Sequence, residues 1–203
     1  AIDFSKVDGL LEALKNPVVN VRSHAAAQLV SRGERAYAKV EQFLAQNRRD
    51  PILRSRAIWV LAQLGEKGRT RIEPGLQSKD EIEVVVSYRA LRHSHPDRLL
   101  EYAKALAQSP FASVRREVAV SLKGIPFSDC RDLLAQLMDG FDGRNRFYLE
   151  ALGVAFHGKE KLVYNQLVAP AMPDPEKWGS KNKHLAWRLH TPEAIRDLDL
   201  CIR

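Results

Sequence analysis

The stretch NPVVNVRSHAAAQL at 16–29 decides how this chain reads. Asn16-Pro17 interrupts whatever helix comes before it. Proline fixes φ and lacks an amide proton, so it suits a turn or an early helical position. Val21, Ala25, Ala26 and Leu29 then fall on one face of a new helix, and the segment ahead of the proline offers Leu10, Leu11 and Leu14 as a matching face. The same text returns as DPILRSRAIWVL at 50–61 and SPFASVRREVAVSL at 109–122. Leu29, Leu61, Leu91, Leu122 and Leu152 follow one another at intervals of 32, 30, 31 and 30 residues. A fixed period of that length, made of two helices and a turn, marks a helical repeat whose units bury their apolar faces on their neighbours.

Working outward, the second unit is expected to use Val40, Phe43 and Leu44 on its first helix and Leu53, Ala57, Val60, Leu61 and Leu64 on its second. The third is less regular. A short first helix is predicted near Arg71–Leu76, disturbed by Pro74 and Gly75, with a second over Glu81–Leu91. The fourth uses Leu99, Leu100, Ala103 and Leu106, then Val114, Val118, Ala119 and Leu122. Leu133, Leu134 and Leu137 begin the fifth, whose second helix contains Phe147, Leu149, Leu152 and Phe156. Its turn, DGFDGRN, is rich in glycine but lacks the spacing of a phosphate-binding loop. From residue 159 the pattern breaks down. KEKLVYNQLV reads as a helix and PAMPDPEKWGS as turns, and NKHLAWRLH starts a further helix whose Leu185, Ala186 and Leu189 can cover the last repeat. Thr191-Pro192-Glu193 opens a final short helix. The expectation is one all-α repeat domain over 1–203, a solenoid of about five two-helix units with an atypical cap at 159–203.

Composition agrees with this reading. The chain has 203 residues, 45% of them hydrophobic, 28% charged and only 7% aromatic. That excludes fibres and bulk disorder and favours helices over sheet. The net charge of +7 produces a positive field without naming a ligand. Cys130 and Cys201 have neither metal-ligand nor redox spacing. AIDFSKVDGLLEAL at 1–14 lacks a basic region followed by a secretory apolar run, and no window reaches the ~18 apolar residues of a membrane span. A soluble product or an excised domain is expected, and the first residue, Ala1, fits either processing or an internal fragment.

The paired helices, the proline turns, VRSHAAAQL at 21–29 and VRREVAVSL at 114–122 resemble HEAT-like repeats over most of 5–157. The spacing here is shorter than the about 40–47 residues of HEAT units. More specifically, RNRFYLEALGVAFHGKE at 144–160 and HLAWRLHTPEAIRDL at 184–198 resemble the HEAT-like region of large heme-binding proteins of planctomycete-type bacteria. The resemblance implies an internal region of a larger, exported or periplasmic protein, set between a sugar-dehydrogenase-like propeller and a cytochrome-type domain. No CxxCH occurs, so the heme attachment site of that family does not carry over, and no cofactor is expected.

Candidate functional residues divide into three groups. Arg22, Arg54 and Arg115 recur near the starts of second helices, where they are expected to join neighbouring units through backbone or carboxylate hydrogen bonds. Arg48, Arg49, Arg54, Arg56, Lys67, Arg69 and Arg71 are concentrated in repeats two and three and can form a positive groove for a protein partner or, as the alternative, nucleic acid. Trp178 with Lys181 and Lys183 can present an aromatic platform beside positive charge. Trp59 is read as core, and Trp187 as cap or docking surface. The six histidines, His93-Ser94-His95 among them, define no metal or nucleophilic centre, and no paired carboxylates mark a hydrolase. The expected function is a noncatalytic scaffold or protein-interaction module. The enzymatic alternative is a HEAT-like DNA-base glycosylase, which requires a basic cleft holding a flipped base.

Overall fold

A computed structural model describes residues 2–201. Every regular element among them is helical, and none of these helices is long and apolar enough to cross a membrane. The chain divides into two compact units, Ala1–Arg98 and Leu99–Arg203.

The first unit contains α1 (Val7–Leu14), α2 (Val19–Ser31), α3 (Glu34–Gln46), α4 (Pro51–Ala62), α5 (Gly65–Ile72) and α6 (Glu81–Ser94). Helix α1 packs on α2 and α3 on α4. First helices also meet, α1 on α3, and second helices follow one another, α2 on α4 and α4 on α6. Leu29, Leu61 and Leu91 are completely buried, as are Leu10 and Val40. The proline turns are of two kinds. Asp50 caps α4, accepting from the amides of Ile52 (2.9 Å) and Leu53 (3.0 Å), and Pro51 is the first helical residue. At 16–17 the proline instead stands two residues ahead of the helix, and Asn16 Oδ1 accepts from the amide of Val18 at 2.9 Å, an Asx turn.

Helix α5 starts six residues before the predicted Arg71 and runs into a 3₁₀ turn at Glu73–Gln77. Its sequence, GEKGRTRI, shows little apolar periodicity, which is why the pattern concealed it. Two glycines make it possible. Gly65 takes φ +68°, so the chain can reverse directly after α4, and Gly68 lies so close to the Leu61 carbonyl that a Cβ has no room.

The second unit contains α7 (Leu99–Leu106), α8 (Ala112–Ser121), α9 (Phe127–Asp139), α10 (Arg146–Phe156), α11 (Glu160–Val163), α12 (Ala169–Ala171), α13 (Ser180–Leu189) and α14 (Pro192–Leu200). Helix α7 packs on α8 and α9, α8 on α10, and α10 on α13. The 109–110 turn follows 16–17: Ser109 Oγ accepts from the amide of Phe111 at 3.3 Å, and α8 begins only at Ala112. Leu122 and Leu152 are fully buried. Phe147 does not join them and is 74% exposed. Asn145 caps α10 through the Tyr148 amide, and this phase turns Tyr148 rather than Phe147 into the core.

Between α11 and α12 the helix widens into a π-helical stretch, Tyr164–Val168, where the Ala169 amide reaches back to the Tyr164 carbonyl. Tyr164 OH donates to Asp197 of α14 at 2.5 Å. Leu185, Ala186 and Leu189 of α13 are buried as predicted, and Thr191 caps α14 through the Ala194 amide, with Pro192 next.

Candidate interaction surfaces

In residues 1–98 most of the predicted basic groove is already paired. Arg54 donates to Asp80 Oδ2 at 2.5 Å, with Glu83 4.0 Å away. Arg71 binds Glu41 at 2.7 Å, and Arg69 lies between Glu66 and Glu73. Arg56 donates to the Leu14 carbonyl at 2.5 Å, and Lys67 sits 4.4 Å above the Tyr37 ring. Arg48 and Arg49 stand exposed on the α3–α4 turn. The structure brings Arg48, Arg54 and Arg71 together around a cleft of about 320 Å³, but Glu83 lines it too. Alternating charges leave this surface far less positive than its sequence promised. The Arg54 hydrogen bond holds the Asp80 carboxyl below the usual carboxylate range, aided by amide hydrogen bonds to its oxygens.

Of the recurrent arginines, Arg54 and Arg115 reach a neighbouring helix pair, whereas Arg22 stays within the turn ahead of its own helix. Arg22 donates to the Pro17 carbonyl at 2.6 Å. Arg115 donates to the Ser109 (2.5 Å) and Pro110 (3.2 Å) carbonyls and reaches onward to Gly140 O (3.3 Å) and Tyr148 OH (3.2 Å). Arg54 instead reaches the capping aspartate of the next helix pair. Other basic side chains close helix C-termini in neighbouring elements, where unpaired carbonyls and the helix dipole favour a cation or donor. Arg56 does so for α1 and His95, through Nε2, for α4 at 3.0 Å. The buried Lys159 donates to the Leu122 (3.1 Å) and Ile125 (2.9 Å) carbonyls beyond α8. Nothing in the sequence pattern pointed to this last contact, because Lys159 lies past the last apolar position of the fifth unit, where a lysine reads as a surface residue.

In residues 99–203 the predicted aromatic platform is displaced. Trp178 is only 4% exposed and donates its indole N–H to Met172 O at 2.9 Å. Lys181 is turned to the end of α9, donating to Asp139 O at 3.1 Å, and Lys183 is half-buried on α13. Lys181 lies at the rim of an open apolar cleft of about 800 Å³ lined by Met138, Leu167, Met172 and Leu185, part of it formed by the π-helical stretch.

The exposed tryptophan is Trp187, at 57%. It borders a separate cleft of about 460 Å³ between the start of α10 and α13, with Phe141 and Leu149 in the lining and Arg144, Arg146 and His184 around them. The lining is held firmly. Phe141 stacks on Tyr148 with ring centroids 5.9 Å apart, and Tyr148 donates to Leu137 O at 2.9 Å. Burial raises the Tyr148 phenol above its ordinary pKa, partly offset by Arg115, so it stays a neutral donor. His184 Nδ1 meets Gly143 O at 2.7 Å, which fixes the proton on that nitrogen and orients the ring. Glu150 is turned to Arg188, 3.3 Å away. A pairing of the exposed α13 tryptophan with RNR at 144–146 was readable only with knowledge of which helices meet.

His93 packs against Trp59 at 5.6 Å, and among the described residues no group of three or more His, Cys, Asp or Glu is placed to hold a metal. Cys130 is buried against Pro126 O (3.2 Å), and desolvation pushes its thiol pKa up. Comparison with protein-family models, curated proteins and solved structures found no match to this chain.

Proposed function

We propose that the chain is a noncatalytic protein-interaction module: HEAT-like repeated helix pairs that give neighbouring domains or proteins a stiff, side-chain-defined surface. The observation that carries this reading is the use of long basic side chains as joints. Arg56, Arg115 and Lys159 each close carbonyls in another element, which ties successive helices into a firm frame. The clefts on that frame are open and lined by apolar side chains with charges of both signs among them, Lys181 and Asp139 at one and Arg144, Arg146 and Glu150 at the other, suited to contact with another polypeptide. The resemblance of 144–160 and 184–198 to heme-binding proteins of planctomycete-type bacteria supports an internal position in a larger exported protein, with any chemistry supplied by its other domains. The test is association with the neighbouring regions of the intact source protein, measured by surface plasmon resonance. Saturable binding that is lost when one helix face is altered is the expected result, and no association with any native neighbour would overturn the reading.

A further inference from the structure

We propose that the Trp187 cleft docks a short acidic segment of a protein partner, one carrying a single aromatic or large aliphatic side chain between carboxylates. This rests on the interaction-module reading and specifies where contact is made and with what chemistry.

Shape and charge argue for the same occupant. The cleft, about 460 Å³, has Phe141 and Leu149, 2% and 6% exposed, in its lining, while Trp187 beside them is 57% exposed. That volume is at the small end of ligand clefts, about 300–1,000 Å³, and suits one bulky side chain with its flanking backbone. A tryptophan left in water beside an apolar lining supplies the kind of anchor that dominates interface energetics. Arg144 and Arg146 are exposed at the same cleft, and no hydrogen bond or ion pair engages either guanidinium among the described residues. Their cationic neighbours differ: Lys181 is turned to the end of α9 and Arg188 to Glu150. Glu150 also lines the cleft but is turned to Arg188, and Asp142 acts on Arg144 only through space, so two guanidiniums without a direct hydrogen-bond or ion-pair partner flank an apolar slot and complement two carboxylates flanking an apolar side chain.

A long polyanion fits less well. Residues 99–203 contain 15 Lys and Arg against 13 Asp and Glu, so the two arginines are a local feature and not part of a basic track. The lining is also pre-set. The Phe141–Tyr148 stack and the His184–Gly143 contact hold its walls before any partner arrives, which lowers the ordering cost of binding.

The experiment is fluorescence anisotropy with the labelled peptide Glu-Asp-Glu-Phe-Asp-Glu-Asp on the full chain, beside a version with Lys at every acidic position and a single-stranded oligothymidylate. Saturable binding of the acidic peptide alone is expected. Trp187→Ala and the double variant Arg144→Glu with Arg146→Glu should each weaken it by on the order of tenfold or more, and Arg48→Glu should leave it unchanged. All these positions are exposed, and far-UV circular dichroism verifies that each variant folds. If Trp187→Ala perturbs the fold, the arginine pair reads the same cleft. Absence of saturation, binding indifferent to both cleft variants, or tighter binding of the oligothymidylate at this cleft would each overturn the proposal. If native neighbours still bind the Trp187→Ala chain at full strength, this site falls and the interaction-module reading stands.

Discussion

Arg54 and Asp80 illustrate how one contact serves two purposes. Asp80 caps α6 through Oδ1, accepting from the amides of Ile82 (2.9 Å) and Glu83 (3.4 Å), while Oδ2 takes the Arg54 guanidinium. The arginine contact and the amides lower the folded-state pKa of Asp80 below its unfolded value. The stabilisation is therefore fully present above the ordinary carboxylate range and is lost as pH falls through the lower folded value. Asp80→Asn separates the two purposes, because asparagine caps nearly as well but carries no charge. At neutral pH the variant should be less stable by about 0.5–1.5 kcal/mol, since the pair is partly solvated. Below about pH 4 the two proteins should converge as Asp80 protonates. Urea denaturation from pH 7 to pH 2.5 checks this. A stability gap that stays constant over that range would show that the contact with Arg54 is not what holds the carboxylate charged.

At the scale of the element, the termination of α8 is the sharpest case. Its C-terminal carbonyls, with those of the following turn, face the buried Lys159, whose ammonium donates to Leu122 O and Ile125 O. Lys159→Met keeps an unbranched side chain as far as the ε position and removes the donor, leaving two carbonyls without it where the chain is packed. The expected loss is about 2–3 kcal/mol, read as a lower urea midpoint with unchanged m-value. A loss below about 0.5 kcal/mol would mean that water replaces the ammonium freely. The same contact explains what the sequence could show. Helices α2, α4 and α8 were legible because proline turns precede them and a leucine recurs at or just past their C-terminal turns. Helix α5 was not, since Gly68 packs by lacking a side chain and leaves no apolar signature. Phe147 lies in the helix expected to contain it but faces outward, because cap phase, set by Asn145, decides which of two adjacent aromatics turns inward. The basic residues misled most, since a cation that closes a helix end in a neighbouring pair looks the same in sequence as one that faces a ligand. The Trp187 cleft lay beyond sequence reasoning for a related reason: its members are about 40 positions apart, on helices whose meeting no local pattern encodes.

For the molecule as a whole, the question is how far the repeat carries stability along the chain. Leu61 and Leu152 occupy equivalent places on α4 and α10, both fully buried, one in each compact unit. Leu61 lies on the helix that α2, α3, α5 and α6 all touch, so a cavity there loosens most of the first unit. In a repeat protein stability is a sum of unit and nearest-neighbour terms, and damage is felt most strongly beside its source. Leu61→Ala should cost about 2–5 kcal/mol. It should also speed amide exchange across α2–α6 far more than across α8–α10. Leu152→Ala should produce the mirror image, with loss of protection concentrated in residues 99–203. Hydrogen exchange followed by mass spectrometry resolves the two halves in one experiment. Equal loss in both halves from either substitution would mean that the chain opens only as a single cooperative body. A gradient would mean that a partner bound to one unit can stabilise that unit selectively, with the effect fading along the repeats.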